Sequence, residues 1–386
     1  MGRHRRAAIC SAVTIVVALA ATTARTQSVI GSLPYDVVAP EDNPTTPEKV
    51  ELGRLLFWDP ILSGAKDVAC ASCHHPDFGY SDSLDLSMGT HGMGLGATRR
   101  FDAPGKRPFV KRNSPTILNI GFAGIDMTFG YEPSQAPLFW DMRVRSLEAQ
   151  ALEPLKSLEE MRGEAFAEPE AVEMIVARLH AIPEYRTRFA RAFNTSSAVS
   201  TTYLAKAIAA FERSIVALNS PFDRYVRGET SAMTPLQLSG MQRFQSTGCA
   251  NCHKGPMFTD YQVHTLGVPD NPGLPESDSG VDGKYRFRTA SLRNLLYTAP
   301  YMHSGMLATL DDVLSFYNGV RGFRTGTRNA NVAPGDLDPL VFSLVLGGGD
   351  RRDIVAFLEA LSDEDFDRAI PDKVPSGLPV GGRIRD

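Results

Sequence analysis

The chain has 386 residues, of which 43% are hydrophobic and 22% charged, ordinary proportions for a protein that buries a core. That length exceeds one minimal domain and is comfortable for two. The composition excludes wholesale disorder, collagen and coiled coil. Lys and Arg total 40 against 44 Asp and Glu, which gives a formal net charge of -4 and argues against nucleic acid as the main partner. The 33 Gly and 26 Pro predict long loops.

Residues 1–20 have the pattern of a secretory signal peptide. A basic start is followed by an apolar run over 7–21, which contains the cleavage pattern Ala18-Leu19-Ala20. This run is shorter than the ~20 apolar residues that span a bilayer, and Ser and Thr interrupt it. We therefore expect a protein exported to the periplasm, without stable membrane insertion.

Of the five cysteines, Cys10 lies in the predicted signal peptide. The other four fall into two Cys-x-x-Cys-His motifs, Cys70-Ala71-Ser72-Cys73-His74 and Cys249-Ala250-Asn251-Cys252-His253. This is the attachment pattern of c-type haem. Two thiols at this spacing reach the two vinyl groups of one porphyrin, and the adjacent histidine can bind the iron. The sequence therefore predicts two covalently attached haems.

Two other uses of the cysteines compete with haem attachment. Disulfides suit an exported protein, but a two-residue loop between bonded cysteines is strained and usually redox-active. Zinc ribbons place their two pairs ~15–20 residues apart, and the present pairs are far more widely separated. The segments that follow His74 and His253 echo each other weakly, which suggests duplicated haem-binding units.

The predicted fold is mostly α, with two cytochrome c-like haem domains at 30–195 and 196–386. Helical periodicity of apolar residues is clearest at 204–215 and 354–361, and a third helix is expected at 171–179. Segments rich in Gly, Pro, Asp and Ser predict long loops at 83–110, 121–138 and 262–285. No alternating run predicts a strand.

The sixth ligand of each iron decides its chemistry, because an occupied site transfers electrons and an open one admits peroxide. Candidates for this position are several Met and Tyr and the histidines His75, His91, His180, His264 and His303. Trp140 lies in an apolar run and is equally consistent with a core aromatic. Spacing alone therefore predicts two haems and no particular reaction.

Longer segments resemble the bacterial dihaem cytochrome c peroxidase and MauG superfamily, in the right order over residues 50 to 362. They are Leu52-Gly53-Arg54-Leu55-Leu56-Phe57-Trp58-Asp59-Pro60, Arg112-Asn113-Ser114-Pro115-Thr116, Phe139-Trp140-Asp141, Ser146-Leu147-Glu148, Ser220-Pro221-Phe222-Asp223-Arg224, Ser291-Leu292-Arg293-Asn294 and Thr298-Ala299-Pro300-Tyr301-Met302-His303, together with both haem motifs. MbnH-type tryptophan-modifying enzymes are a candidate close relative.

The resemblance implies that the haem on His74 reacts with peroxide, with Gln150 and Glu160 on its distal side. A glutamate there can move a proton between the peroxide oxygens, and a glutamine can orient the peroxide. Pro154 resembles the distal proline of MauG. Trp140 would relay electrons between the haems.

The resemblance also implies a calcium site between the domains. Its ligands would be Asn113 and the backbone carbonyls of Thr298 and Pro300, and oxygen-only ligands suit that ion.

The branch within the superfamily depends on the haem of His253. Peroxidases of this group place a Met one helix after the Pro-Tyr-x-His segment and MauG places a Tyr, and here Tyr317 stands at that position. A phenolate ligand lowers the reduction potential, whereas a thioether raises it. The alternative is that Tyr317 is a buried helix residue and that Met302 or Met306 binds the iron.

His91 resembles, with one extra residue before it, the loop histidine that blocks the first haem of the peroxidases until reduction opens it. MauG-like enzymes keep that iron open. Whether His91 binds iron stays open at this point.

The resemblance implies an enzyme that uses H2O2 to oxidise a Trp or Tyr of a partner protein. The alternative is a cytochrome c peroxidase that reduces H2O2 with electrons from a soluble cytochrome or cupredoxin. A passive dihaem electron carrier is disfavoured, because it gives Gln150 and Glu160 no role.

Overall fold

The computed structural model describes residue 2 and residues 29–385, except 104–107, 197–198, 323 and 325. The predicted signal peptide therefore lies, apart from Gly2, outside the described residues. In the described part of the chain, no helix is long and apolar enough to cross a bilayer.

The prediction of a mostly α fold is confirmed. The α-helices are α1 (Pro47–Trp58), α2 (Leu147–Gln150), α3 (Glu153–Lys156), α4 (Ala171–Ala181), α5 (Pro183–Phe193), α6 (Thr201–Ser214), α7 (Pro221–Val226), α8 (Pro235–Ser246), α9 (Leu310–Arg321), α10 (Pro339–Phe342) and α11 (Asp350–Glu359). The three helices expected from periodicity correspond to α4, α6 and α11.

Six short strands pair as three antiparallel ribbons, which the sequence did not predict. They are β1 (Gly92–Met93) with β2 (Arg100–Phe101), β3 (Pro137–Leu138) with β4 (Val144–Arg145), and β5 (Val263–Thr265) with β6 (Arg286–Arg288). The expectation of strand-free loops was wrong in this respect. Strands of two or three residues are too short to show an alternating pattern.

The first core forms where α1 crosses α6. Thr46 and Ser200 cap the two helices by accepting hydrogen bonds from the amides of residues three positions on. Leu52 and Leu56 of α1 then pack against the apolar stripe of α6. Since each is at most 1% exposed, burial of these side chains fixes the helix pair.

A second core forms around α8 and α11. It contains four mutually packed phenylalanines that are each at most 2% exposed, Phe222, Phe244, Phe258 and Phe357. Their rings meet mostly edge to face at centroid distances of 5.2–6.0 Å, the favourable geometry for aromatic pairs.

The two helix pairs repeat one another in detail. A Cβ added at Gly53 of α1 would collide with the carbonyl of Ala207 on α6. A Cβ added at Gly240 of α8 would collide in the same way with the carbonyl of Asp353 on α11. Both glycines are needed because the backbones approach too closely for a side chain.

Segments near both chain ends join the core of the opposite half. Ile30 packs in the core of α8 and α11, whereas Phe366 and Ile384 pack against Trp58. The boundary near residue 195 stays a prediction. The packing of α6 with α1 would move it beyond residue 214.

Candidate active site

The first Cys-x-x-Cys-His motif forms a tight turn. The amide of His74 donates to the carbonyl of Cys70 over 2.9 Å, and neither Cys70 nor Cys73 is in a disulfide. His74 Nδ1 lies 3.1 Å from the carbonyl oxygen of Tyr80. Because that carbonyl engages Nδ1, Nε2 is the ring nitrogen left for a metal.

The second motif has the same geometry. Cys249 and Cys252 are free thiols, and His253 Nδ1 lies 2.9 Å from the carbonyl oxygen of Phe258. Burial lowers the pKa of both His253 and His74, which keeps the imidazoles neutral, the form that binds a metal. Both motifs thus have the free thiols and oriented imidazole that covalent haem attachment requires.

The surroundings of the two motifs are duplicated. Tyr80 and Phe258, whose carbonyls orient the histidines, both have left-handed backbones, with φ of 59° and 53°. The hydroxyl of the next residue donates to a distant carbonyl in each case, Ser81 to Ser114 over 2.7 Å and Thr259 to Thr289 over 2.6 Å. These matches support the expectation of duplicated haem-binding units.

A zinc ribbon does not fit this arrangement. Within the described part of the chain, the one cluster able to hold a metal ion combines Cys252 with Asp260 and His264. The two cysteine pairs therefore do not converge on one ion.

Tyr317 and the second motif share the walls of one large cavity. Helix α9 begins at a Thr309 cap and carries Tyr317 to the cavity that Cys249, Cys252 and His253 also line. Burial raises the pKa of Tyr317, and negative charge on the two thiols would raise it further. The phenol is therefore neutral here unless a cation such as ferric iron binds its oxygen.

The two methionine alternatives are placed differently. Met302 lines the same cavity and, like Tyr317, packs against the apolar cluster that contains Phe316 and Val320. Met306 is 38% exposed and does not line that cavity. The structure therefore leaves Met302 as the methionine that competes with Tyr317.

Trp140 also lines this cavity. Its indole Nε1 donates to the backbone carbonyl of Asn113 over 2.9 Å. Its ring meets His303 edge to face, with centroids 6.3 Å apart, and His303 stacks on Phe287 at 3.5 Å. Burial lowers the pKa of His303 to about 3, so this neighbour of Trp140 is neutral.

The three residues predicted to bind calcium meet at the same cavity, since Asn113, Thr298 and Pro300 all line it. The amide nitrogen of Asn113 donates to the carbonyl of Leu84 over 2.7 Å. That bond leaves the side-chain oxygen available. Oxygen donors of this kind fit calcium.

The predicted distal residues lie on consecutive helical elements. Gln150 ends α2, Pro154 lies in α3, and Glu160 lies in a π-helical turn, Leu158–Arg162. Burial raises the pKa of Glu160 to about 7, although the charge of Arg143 opposes this rise.

Glu160 also acts electrostatically on the first haem motif. Its negative charge contributes to the raised pKa of the Cys70 and Cys73 thiols, after burial. The carboxyl therefore lies near the predicted attachment site and can both hold and release a proton near neutral pH.

His91 has a surface partner. Its Nδ1 lies 3.4 Å from a carboxylate oxygen of Asp102, which also pairs with Arg383 at 2.9 Å. The preceding residue, Thr90, donates its amide to the carbonyl of Glu160 over 2.8 Å. The loop thus packs on the distal segment while the His91 ring contacts Asp102.

The sequence reasoning missed one buried carboxyl and the two acidic partners of His264. Glu212 is a 6% exposed carboxyl on α6. His264 lies between Asp338 at 2.7 Å and Asp260 at 3.1 Å. No local motif identifies either group. The repeat of glycine contacts between α1–α6 and α8–α11 is the signal that relates Glu212 to the second half.

Known proteins are similar to this chain over most of its length. Residues 47–231 match the family described as di-haem cytochrome c peroxidase. The chain is 33% identical over 345 residues to the methylamine utilization protein MauG of Methylorubrum extorquens, covering 88% of this chain and 85% of that protein. It is 35% identical over 369 residues to the cytochrome-c peroxidase IdrP1 of Denitromonas iodatirespirans, covering 86% of each.

A solved structure is also similar. The crystal structure of a MauG-like protein associated with microbial copper homeostasis superposes with a TM-score of 0.68 at 29% identity, covering 86% of this chain and 95% of that one. These similarities define the chain as a haem-dependent oxidoreductase. The chain belongs to the di-haem cytochrome c peroxidase family, which confirms the resemblance found in the sequence.

Proposed function

We propose that the protein is a periplasmic dihaem enzyme that uses H2O2 to oxidise a Trp or Tyr residue of a partner protein. The observation that carries this proposal is the position of Tyr317 in the cavity of the second haem motif. Conversion of each H2O2 to two waters would take two electrons and two protons, which the partner's aromatic side chain supplies.

Two haems would be attached through Cys70 and Cys73 and through Cys249 and Cys252, with His74 and His253 as proximal ligands. When bound, the haem irons supply the capacity to cleave peroxide and to hold oxidising equivalents. The free thiols and the carbonyl-bound Nδ1 atoms support this attachment.

Glu160 would transfer the peroxide proton and Gln150 would orient the peroxide. A general acid–base works best when its pKa lies near the operating pH, and the pKa of Glu160 is raised to about 7. Pro154 lies between them in the chain and would be the distal proline that the resemblance to MauG implies.

Tyr317 would set the second haem apart from an electron-accepting haem. An anionic phenolate lowers the reduction potential and favours oxidised iron, whereas a thioether from Met302 would do the opposite. A haem with Tyr317 bound is therefore suited to sharing oxidising equivalents and poorly suited to collecting electrons from a donor cytochrome.

Trp140 would connect the two haems, and a calcium ion held by Asn113, Thr298 and Pro300 would fix the connection. The supporting contact is the hydrogen bond from Trp140 to the backbone of Asn113.

The second candidate is a cytochrome c peroxidase. The 35% identity to IdrP1 favours it, as does the 31% identity to the cytochrome c551 peroxidase of Pseudomonas aeruginosa, which covers 86% of this chain and 83% of that protein. In that enzyme class His91 could close the first iron until reduction.

A steady-state assay separates the two candidates. The purified dihaem protein is mixed with H2O2 and a reduced small cytochrome c, and cytochrome oxidation is followed by absorbance. The proposal expects slow turnover that a Tyr317→Met variant accelerates. Fast turnover of the unmodified protein would favour the peroxidase instead.

A further inference from the structure

Glu212 is a buried carboxyl to which the proposed mechanism gives no role. It is 6% exposed, and its Oε2 atom has no hydrogen-bond partner among the described residues. A buried carboxyl with an unpaired oxygen opposes folding, so such a group calls for a functional explanation.

The internal repeat relates Glu212 to a residue whose surroundings are clear. Ala207 and Phe211 contact Gly53 as Asp353 and Phe357 contact Gly240. Residue 353 lies 146 positions after residue 207, and residue 357 lies 146 positions after residue 211. The same offset relates residue 212 to residue 358.

Leu358 lines the cavity beside the second haem motif. Because α6 and α11 make the same backbone contact with their partner helices, equivalent positions on them face equivalent surroundings. The side chain of Glu212 should therefore face the first haem site in the way that Leu358 faces the second haem site.

The electrostatics agree with this placement. After burial, the charge of Glu212 is the largest influence that raises the pKa of the Cys70 thiol. Two other charged groups face Glu212: Arg213 on the same helix and Glu148 from α2. These two pair with each other at 2.7 Å, so the Arg213 charge is already largely balanced. Burial raises the pKa of Glu212 to about 8.

We infer that Glu212 takes up a proton when the haem carried by Cys70 and Cys73 is reduced. One electron comes from an external reductant and goes to the iron. One proton comes from solvent and neutralises the Glu212 carboxylate. An anion next to this haem favours its oxidised, more positive state, so adding an electron strengthens proton binding at Glu212. At the position equivalent to Glu212, the second haem motif has Leu358, which cannot ionise.

This inference requires a haem on the first motif but does not depend on the choice between the two proposed functions. The part of the first haem's pH dependence that Glu212 causes is identified by comparison with the Glu212 variants.

The test measures both reduction potentials of the dihaem protein by spectroelectrochemistry between about pH 6 and about pH 10, a window that brackets the pKa of Glu212. We expect the first potential to become more negative as the pH rises. In the Glu212→Gln and Glu212→Leu variants, the first potential should depend less on pH. Glu212→Leu introduces the residue type found at position 358. Glu51→Gln changes an exposed glutamate on α1 and should keep the dependence of the unmodified protein.

Infrared difference spectra give a second readout. Reduction of the unmodified protein should produce a carboxylic acid carbonyl band that is missing from Glu212→Gln. If both Glu212 variants carry two haems and keep the original pH dependence, the role of Glu212 is wrong and the proposed function is unaffected. A protein without haem on Cys70 and Cys73 would overturn both this inference and the proposed function.

Discussion

Trp140 Nε1 donates a hydrogen bond of 2.9 Å to the backbone carbonyl of Asn113. The backbone amide of Asn113 in turn donates to the backbone carbonyl of His303 over 2.8 Å. The His303 ring lies against Trp140. The proposed relay residue and a proposed calcium ligand are therefore held by one backbone connection. Movement of Asn113 should move the indole.

Calcium removal should slow electron transfer between the haems. Loss of the ion leaves the side-chain oxygen of Asn113 without its partner, and a disturbed support of this kind typically costs about 10- to 100-fold in activity or affinity. Stopped-flow absorbance can follow redistribution of electrons between the two haems before and after chelation. Added Ca²⁺ should restore the rate. Mg²⁺ should not, because it requires smaller octahedral geometry and releases water reluctantly. Unchanged electron-transfer kinetics after verified removal of calcium would show that the ion does not support electron transfer through Trp140.

Replacement of Tyr317 by Phe should change the low-spin spectrum of the second haem and raise its reduction potential. The variant removes one oxygen and preserves the ring, so packing in the cavity changes little. Electron paramagnetic resonance of the oxidised protein measures the spin state directly.

Tyr301→Phe is the matched control for Tyr317→Phe. Tyr301 lines the same cavity, but its hydroxyl already donates to the carbonyl of Leu295 over 2.9 Å. Its loss should leave the spectrum unaltered. Met302→Leu tests the competing ligand: a spectrum that changes in Met302→Leu and not in Tyr317→Phe would assign the iron to sulfur.

Short-range patterns made much of this molecule predictable. The turns of the two Cys-x-x-Cys-His motifs can be predicted from residues adjacent in sequence. The apolar stripe of α6 can be predicted from helical periodicity. The structure then shows Tyr317 on α9 and in the lining of the cavity that the second haem motif also lines. Its role as a ligand stays a prediction.

Long-range contacts could not be predicted in this way. Asp102, the partner of His91, also pairs with Arg383, which is 281 positions further along the chain. No periodicity encodes such a pair. Glu212 sits within an otherwise apolar helix face and resembles a tolerated polar residue until the contacts of Gly53 and Gly240 align the two halves.

The reaction of peroxide with the first haem should accelerate as the pH rises through about 7. The pKa of Glu160 is raised to about that value, and its carboxylate form accepts the peroxide proton. Glu160→Gln cannot accept a proton, so the rate should fall by about 10²- to 10⁴-fold and lose its pH dependence. Stopped-flow mixing with H2O2 across this range measures both effects.

Two neighbours provide controls of opposite sign. The Arg143 charge lowers the pKa of Glu160 and the Glu159 charge raises it. Arg143→Gln should therefore move the midpoint of the pH profile upward, and Glu159→Gln should move it downward. Midpoints that stay in place in both variants would show that another group controls the proton.

The ion pair of His264 with Asp260 and Asp338 should stabilise the protein most at low pH. Hydrogen bonds to Asp260 and, to a lesser extent, to Asp338 raise the pKa of His264. An unfolded histidine has a pKa of about 6.5. The stabilisation is thus complete below about pH 6.5 and disappears as the pH rises through the raised pKa of His264 in the folded protein.

Asp338→Asn should therefore lower the unfolding temperature more at about pH 5.5 than at about pH 9. The carboxylate of Asp338 lies 2.7 Å from His264 Nδ1, and an amide keeps the shape while removing the charge. Thermal unfolding of the dihaem protein followed by circular dichroism measures the difference. A variant whose deficit is constant over this range would show that the bond acts as a neutral hydrogen bond. In that case the imidazole is not the buried cation that its two carboxylate neighbours imply.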